Sequence, residues 1–229
     1  MDFHDYPDPE MMALAVAQKL AADLRRALAR REEVLLCVPG GSTPGPVFDT
    51  LAQLELPWER IIVLPGDERW VPPDHPRSNA AQLRARLLQG PASAARLMTL
   101  DGGPGADYTA PPDEATIELL RARLTPALPI DVALLGMGED GHVASLFPSA
   151  PELPEALADD APVLMRLSPR DQPEPRLSLT APVLSGAFSL HILITGGEKR
   201  RIIEEAKGAD PLDAPVAALL DDAHVHWAE

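Results

Sequence analysis

One segment of the chain combines a histidine with acids and glycines directly after an apolar run. Residues 130–135 are mostly apolar, and the following sequence reads Gly-Met-Gly-Glu-Asp-Gly-His up to His142. This pattern predicts a buried strand that ends at the edge of a sheet, where open α/β folds bind ligands. Because an imidazole is easily poised near neutral pH, His142 is the first candidate for a proton carrier. A nearby acid, Asp140 or Glu139, is expected to orient its ring. The structural alternative is a histidine at a helix start that only hydrogen-bonds to the backbone.

The apolar run at 34–38 ends in a loop that is typical of anion binding. Gly40, Gly41 and Ser42 are followed by Thr-Pro and a predicted helix. Glycines let backbone N–H groups approach a ligand, and a helix N-terminus favours negative charge. The alternative is a tight strand-to-helix turn that Ser42 caps. The loop is neither a Walker loop nor a dinucleotide-binding fingerprint, and Pro44 stands where a nucleophilic serine would need a second glycine.

A carboxylate and several cations follow other predicted strands. Asp67 lies in a Gly-Asp-Glu-Arg sequence directly after an apolar run, although this sequence also fits a local ion pair on a solvated turn. Lys199 follows a Gly-Gly pair after another apolar run. Together with Arg77 and Arg176, Lys199 is predicted to bind an anionic group of a substrate, although each cation alone also fits a solvated surface. If the strands are parallel, the loops that follow them share one edge of the sheet.

The sequence predicts no metal site and no disulfide. Asp74 and His75 are close together, but no ligand set such as His-Glu-x-x-His surrounds them. Cys37 is the only cysteine, and its apolar neighbours predict that it packs as a small hydrophobic residue. The remaining histidines lack surroundings like those of His142, and His191 is predicted to lie in the core or at an edge of the sheet.

Strand-like runs alternate with helical patterns, which predicts an α/β fold with an open, mainly parallel sheet and helices on both faces. No linker divides the chain, so residues 1–229 are expected to form a single domain. The predicted strands are 34–38, 61–64, 97–100, 130–135, 163–167, 176–180, 191–195 and 224–227. The predicted helices are 10–31, 44–54, 78–88, 114–124, 198–207 and 216–220, with a short one from Pro182. The proline-rich residues 148–162 are expected to form a surface excursion, which leaves open whether they move as a lid.

The composition excludes several classes of partner. The formal net charge is −15, which argues against nucleic acids and anionic membranes because these require basic patches. An anionic small molecule remains compatible with this charge if local cations line its site. No apolar stretch approaches the ~18–20 residues of a membrane span, and no signal-peptide pattern opens the sequence, so a cytoplasmic protein is expected.

Together, these motifs resemble the 6-phosphogluconolactonase family. The resemblance lies in Val-Pro-Gly-Gly-Ser-Thr-Pro at 38–44, Gly-Asp-Glu-Arg-Trp-Val-Pro at 66–72, Ser-Asn at 78–79, Gly-Met-Gly-Glu-Asp-Gly-His-Val-Ala-Ser-Leu-Phe-Pro at 136–148 and Gly-Gly-Glu-Lys at 196–199. It implies a fold shared with glucosamine-6-phosphate deaminases and isomerases, and hydrolysis of 6-phospho-D-glucono-1,5-lactone in the oxidative pentose phosphate pathway. No metal or organic cofactor is implied. By the same resemblance, His142 is the catalytic base and Asp67 belongs to the active site.

The related deaminases are the main alternative within this fold. They are similar around Asp-Gly-His but continue with Ala-Phe-Asn-Glu-Pro, whereas here Ala144 is followed by Ser-Leu-Phe-Pro, without an acid. This departure favours the lactonase. A non-catalytic sugar-phosphate-binding regulator is a further alternative, although no DNA-binding extension is visible. Many lactonases carry an acid where this chain has Arg77. The sequence leaves the oligomeric state open between a monomer and a small homo-oligomer.

Overall fold

Ten strands form two sheets in the computed structural model, which describes residues 1–229. The strands are β1 (Asp2–Asp5), β2 (Val34–Val38), β3 (Ile61–Pro65), β4 (Asp67–Arg69), β5 (Arg96–Leu97), β6 (Val132–Gly136), β7 (Leu164–Leu167), β8 (Arg176–Leu179), β9 (Leu190–Thr195) and β10 (His224–Ala228). Seven of them pair in parallel in the order β1-β10-β9-β6-β2-β3-β5. Every residue of β2 and β3 is buried, as expected for central strands of a parallel sheet that is covered on both faces.

Helices cover both faces of this sheet, so the predicted α/β architecture is confirmed. They are α1 (Pro9–Leu28), α2 (Gly45–Leu51), α3 (Asn79–Arg86), α4 (Glu114–Leu124), α5 (Leu153–Leu157), α6 (Ala181–Ser185) and α7 (Gly197–Glu205). Side chains of β2 alternate between two cores: Leu36 and Val38 pack with α1, α2 and α3, whereas Leu35 and Cys37 pack with α4 and α7. Cys37 is therefore a buried core residue, as predicted.

The strands β4, β8 and β7 form a separate antiparallel sheet. The sequence indicated a loop at 66–69, and this prediction was wrong: Asp67 pairs with Ser178 and Arg69 pairs with Arg176. A strand of three residues is too short to show a period in the sequence, so only the pairing reveals it. Since side chains two residues apart on a strand share a face, this small sheet fixes the relative positions of an acid and two arginines.

Residues 148–162 are not a mere surface excursion, in contrast to the prediction. They contain α5, and Ala150, Leu153 and Ala156 are buried in the main hydrophobic core. Prolines and acids lie between these apolar residues in the sequence, so the helical spacing of the buried positions was not recognised. Other differences are smaller: β1 was not predicted, and the helix expected at 216–220 is a 3-10 helix at Pro215–Leu219.

The order of the strands reverses between β2 and β6. From β2 the chain moves outward to β3 and β5, and the later strands β9 and β10 lie on the far side of β6. Ligands of open α/β sheets bind at such a point, outside the carboxyl ends of the strands. The loops that follow β2 and β6 carry the glycine motif and His142. None of the helices combines the length and apolar character needed to cross a membrane.

Candidate active site

The loops that follow β2, β6 and β9 meet in one cleft together with β4, which follows β3. The sequence predicted that these segments share one edge of the sheet. The cleft has a volume of about 350 Å³, within the range of roughly 300–1,000 Å³ that is typical of small-molecule sites. Most of the predicted site residues line it: Gly40, Gly41, Ser42, Asp67, His142, Arg176 and Lys199. Two predicted residues do not line it: Asp140 contacts His142, and Arg77 lies elsewhere on the surface.

His142 and Asp140 form a hydrogen-bonded pair in the turn after β6. The Nδ1 atom of His142 lies 2.5 Å from Oδ1 of Asp140, and the same oxygen accepts the backbone N–H of His142 at 3.1 Å. Burial acts to raise the pKa of Asp140, but the hydrogen bond and charge of His142 outweigh it and lower this pKa. The carboxylate is therefore ionised at neutral pH. Glu139 is exposed and makes no hydrogen bond to the ring, so Asp140 is the acid that is paired with His142.

Two neighbours hold the imidazole against the cleft. A Cβ atom on Gly138 would lie 2.1 Å from ring atoms of His142, so the ring reaches this position only because residue 138 is glycine. The ring of Phe147 stacks on the imidazole with 4.0 Å between centroids. No protein group hydrogen-bonds to Nε2 of His142. The arrangement leaves one ring nitrogen available to a ligand.

The acids of the Gly-Asp-Glu-Arg motif separate into two roles. Asp67 is buried in the cleft wall, where its Oδ2 accepts the hydroxyl of Ser145 at 2.5 Å and its Oδ1 accepts Asn79 Nδ2 at 3.1 Å. Glu68 instead accepts the backbone N–H groups of Asn79 and Ala80 at the start of α3. Burial raises the pKa of Glu68, although these N–H groups act against the increase. Asp67 thus lines the cleft, and Glu68 stabilises the start of α3.

The residue before Ser145 has an unusual backbone conformation. Ala144 lines the cleft with a φ of 49°, in the left-handed region that residues with a Cβ atom seldom adopt. Such a conformation costs of order 1–3 kcal/mol and persists where the surroundings fix it. Here it turns the chain so that Ser145 reaches Asp67 while Phe147 stacks on His142.

The glycine loop after β2 presents backbone to the cleft. A Cβ atom on Gly40 would lie 1.9 Å from Oδ1 of Asn79, and Gly41 has a φ of 88°. The N–H of Gly41 donates to Gln82 Oε1 at 3.0 Å, whereas the N–H of Ser42 has no protein partner. The side chain of Ser42 does not cap α2. The loop therefore contributes to the cleft lining a residue whose backbone N–H has no acceptor in the protein.

Three cationic side chains line the cleft. Arg176 is only 3% exposed, and its Nε has no hydrogen-bond partner, while its Nη2 donates to Gln172 Oε1 at 2.5 Å. Burial lowers the pKa of Arg176. Lys199, in the first turn of α7, forms no ion pair, and Arg69 also lines the cleft. A buried guanidinium without a carboxylate partner is costly unless an anion completes its environment.

Arg77 is not brought to the cleft. Its guanidinium pairs with both carboxylate oxygens of Glu174, at 2.7 and 2.9 Å. Its carbonyl oxygen accepts a hydrogen bond from Arg69. Arg77 therefore supports the position of Arg69 and has its own charge compensated.

Several cleft residues were not singled out as functional from the sequence. Asn79, Ser145 and Phe147 lie within the motifs that carry the family resemblance, but their contacts with Asp67 and His142 appear only in the folded chain. Arg69 and Gln172 also line the cleft, but no sequence pattern singled them out as ligand-binding residues. No group of three His, Cys, Asp or Glu ligand atoms gathers in the cleft, so its residues hold no evident metal site.

The whole chain matches known proteins of one family. The sequence model described as "Glucosamine-6-phosphate isomerases/6-phosphogluconolactonase" matches residues 7–227. A 6-phosphogluconolactonase from Mesorhizobium japonicum is 37% identical over 234 residues, which cover 99% of this chain and 95% of that protein. Another from Pseudomonas aeruginosa is 39% identical over 221 residues, which cover 94% and 90% of the two chains.

Solved structures agree with this assignment. A 6-phosphogluconolactonase from Shewanella baltica superposes with a TM-score of 0.92 at 30% identity, covering 100% of this chain and 98% of the other. A monomeric glucosamine-6-phosphate deaminase, at 17% identity and a TM-score of 0.80, covers 100% and 98% and shares the fold. The chain therefore belongs to the glucosamine-6-phosphate isomerase/6-phosphogluconolactonase family and, within it, to the 6-phosphogluconolactonases, which are hydrolases.

Proposed function

We propose that this chain hydrolyses 6-phospho-D-glucono-1,5-lactone to 6-phospho-D-gluconate, with His142 as the general base. The observation that carries this proposal is the pair of His142 and Asp140 beside a cleft that also holds unpaired cations. The family membership supports the substrate. The sequence after His142, without the glutamate of the deaminases, supports hydrolysis over deamination.

The proposed proton transfers use a single imidazole. With Nδ1–H donated to Asp140, Nε2 of His142 accepts a proton from water as the water oxygen bonds to the lactone carbonyl carbon. The tetrahedral intermediate then collapses, the bond from this carbon to the ring oxygen breaks, and the imidazolium returns its proton to that oxygen. Asp140 stays ionised and stabilises the imidazolium, as the acid of a triad does.

The oxyanion of the intermediate needs hydrogen-bond donors in place before the reaction. The N–H groups of Gly138 and Gly141 are already donated within their own loop, to His142 O at 2.9 Å and Gly138 O at 3.2 Å. The loop after β2 is the better candidate, because the N–H of Ser42 has no partner in the protein. One such donor is worth roughly 3–4 kcal/mol where it has been measured.

The cations of the cleft are assigned to the phosphate. Arg176 supplies a buried guanidinium whose Nε is unpaired, and Lys199 supplies a point charge from the start of α7. Arg69 is added to this set, and Arg77 is removed from it because Glu174 compensates its charge. Binding energy from the phosphate would hold the lactone carbonyl near the water.

Asp67 is assigned to positioning. Its carboxylate is fixed by Ser145 and Asn79, so it presents a rigid acceptor in the cleft wall. A rigid acceptor of this kind suits a sugar hydroxyl, since a carboxylate that accepts hydrogen bonds recognises such groups directionally. Its charge also acts on Arg176 at longer range, without an ion pair between the two side chains.

The test follows the loss of freshly made lactone at pH 7 against its spontaneous hydrolysis. The expected result is acceleration of this loss, with no ammonia released from glucosamine 6-phosphate. Ammonia release would favour the deaminase. Binding of 6-phosphogluconate without acceleration would indicate a non-catalytic sugar-phosphate-binding protein, and either result would reject the proposal.

A matched pair of variants tests the phosphate assignment. Lys199→Ala should mainly raise KM, because it removes a cation of the cleft that no carboxylate compensates. Arg77→Ala, which removes a cation outside the cleft, should leave KM nearly unchanged. A larger increase in KM for Arg77→Ala than for Lys199→Ala would contradict the assignment of Lys199 to the phosphate.

A further inference from the structure

Three potential metal ligands meet at the amino ends of β1 and β10. The Oδ2 atom of Asp2 lies 3.2 Å from Nε2 of His4 and 3.3 Å from Nδ1 of His224, and these two nitrogens are 3.4 Å apart. Asp2 and His4 share one face of β1 because they are two residues apart. The parallel register places His224 opposite Asp2. The three atoms thus form a nearly equilateral triangle.

The edges of this triangle match those of a tetrahedral metal site. Zn²⁺ binds imidazole nitrogen and carboxylate oxygen at about 2.0–2.1 Å, and a tetrahedron with such bonds has edges of about 3.3–3.4 Å. A square-planar site would instead give three unequal distances, of about 2.9, 2.9 and 4.1 Å. The contacts are also longer than the His–Asp hydrogen bonds elsewhere in the chain, which measure 2.5 and 2.9 Å.

We propose that Asp2, His4 and His224 bind one Zn²⁺ ion, with water as the fourth ligand. Two imidazoles and one carboxylate are a donor set that zinc prefers, whereas calcium and magnesium take oxygen ligands. The side chains of Asp2, His4 and His224 are 64%, 31% and 32% exposed. This exposure provides an entry path for the ion and room for the water.

The neighbouring histidines support the site without acting as ligands. Both ring nitrogens of His226 are engaged, Nδ1 with Tyr6 Oη at 2.9 Å and Nε2 with His191 Nδ1 at 3.0 Å. The ring of His226 stacks on His4 with 5.0 Å between centroids. His191 stacks in the same way on His224, at 5.3 Å. The two ligand rings are therefore packed in place before a metal arrives.

The site is separate from the cleft. The strands are parallel, so the amino ends of β1 and β10 lie at the edge opposite the carboxyl ends that form the cleft. A metal held there joins strands from opposite ends of the sequence. Binding to the folded chain alone raises the free energy of unfolding by mass action. At a free Zn²⁺ concentration 100-fold above Kd, this corresponds to an increase in Tm of roughly 5–10 °C.

The test titrates metal-free full-length protein with Zn²⁺ and, in parallel, with Co²⁺ as a spectroscopic probe. The expected stoichiometry is one ion per chain, with a visible Co²⁺ spectrum typical of tetrahedral coordination. His4→Gln and His224→Gln should each weaken Zn²⁺ binding by at least about 100-fold. Loss of a residue that only hydrogen-bonds to a metal ligand lowers metal affinity by about 10- to 100-fold, and loss of a ligand itself should lower it further. Both should also lose the Zn²⁺-dependent increase in Tm.

Two further variants serve as controls. His75→Gln and His142→Gln remove histidines outside the triangle and should bind Zn²⁺ like the wild type. The proposal is overturned if the wild type binds no Zn²⁺ at micromolar concentration, or if His4→Gln and His224→Gln bind it unchanged. Loss of binding in His142→Gln would also overturn it, because the ion would then lie in the cleft. Circular dichroism of the metal-free variants verifies that each is folded.

Discussion

Two histidine–aspartate pairs in the chain are joined by hydrogen bonds, and they have nearly the same local chemistry but opposite surroundings. His142 and Asp140 are two residues apart and partly exposed beside the cleft, at 2.5 Å. His191 and Asp23 are 168 residues apart and almost fully buried, with 2.9 Å between Nε2 and Oδ2. The first pair is accessible from the cleft, whereas the second is buried between β9 and α1.

The free ring nitrogen is what distinguishes the two pairs. His191 uses both nitrogens, since Nδ1 meets His226 Nε2 at 3.0 Å and Nε2 meets Asp23. Burial lowers the pKa of His226 to about 2, so this neighbour stays neutral. His142 has a protein partner only at Nδ1. A histidine beside an acid is therefore a candidate base only if its second nitrogen can reach a substrate.

The largest expected effect is that of His142→Ala on catalysis. Removal of the base should lower kcat by about 10²–10⁴-fold, the range typical of general acid–base catalysis. The free energy of unfolding should change little, because the side chain is partly exposed. Steady-state assays and urea unfolding measure the two quantities, and binding of 6-phosphogluconate should persist. Turnover like that of the wild type would remove His142 from the mechanism.

Replacement of the buried histidine, His191, should lower stability and leave catalysis unchanged. His191→Ala leaves Asp23 buried without its imidazole, which should lower the free energy of unfolding by about 3 kcal/mol. The folded fraction should keep the kcat/KM of the wild type. Urea unfolding in the presence of a chelator measures this effect without a contribution from bound metal. If His191→Ala lowered kcat/KM but not the free energy of unfolding, the buried pair would act in catalysis and the distinction between the two pairs would be wrong.

Substitution of the acids sharpens the comparison. Asp140→Asn should lower kcat by about 100-fold, because the amide no longer favours the Nδ1–H form of His142 and does not stabilise the imidazolium. Glu139→Gln is the matched control, since Glu139 is exposed and makes no hydrogen bond to the ring. Equal activities of the two variants would contradict the assignment of Asp140.

The smallest expected effect is a dependence of stability on pH. Burial acts to raise the pKa of Asp23, but hydrogen bonds from His191 and Ser189 outweigh it and lower this pKa to about 2, from 3.8. The stabilisation is fully present above pH 3.8 and is lost as the pH falls toward 2, because the unfolded chain binds the proton first. The loss amounts to about 2 kcal/mol.

Urea unfolding between pH 5 and pH 2 tests this dependence. Over this range, the free energy of unfolding of Asp23→Asn should fall by about 2 kcal/mol less than that of the wild type. Equal slopes in the two proteins would show that Asp23 does not titrate differently in the folded and unfolded states.

Much of the site could be predicted from the sequence because its parts are local. The glycine loop and the segment around His142 each follow an apolar strand, and parallel strands bring their carboxyl ends to one edge. The partners of Asp67 could not be predicted in this way. Ser145 is 78 residues away from it, and no periodicity specifies that contact. Arg77 and Arg176 looked equivalent in the sequence, and only the pairing of β4 with β8 brought one of them to the cleft.

The sequence alone determined the α/β class, the cleft-forming loops and the placement of His142 beside two candidate acids, of which the structure selected Asp140. Each of these depends on contacts within a few residues or on the common direction of the strands. The tertiary structure decided which charges are compensated, that His191 is sealed by Asp23, and that Asp2, His4 and His224 converge at 3.2–3.4 Å. These contacts join residues up to 220 positions apart, and hydrophobic patterning fixes which residues are buried but not which polar groups meet.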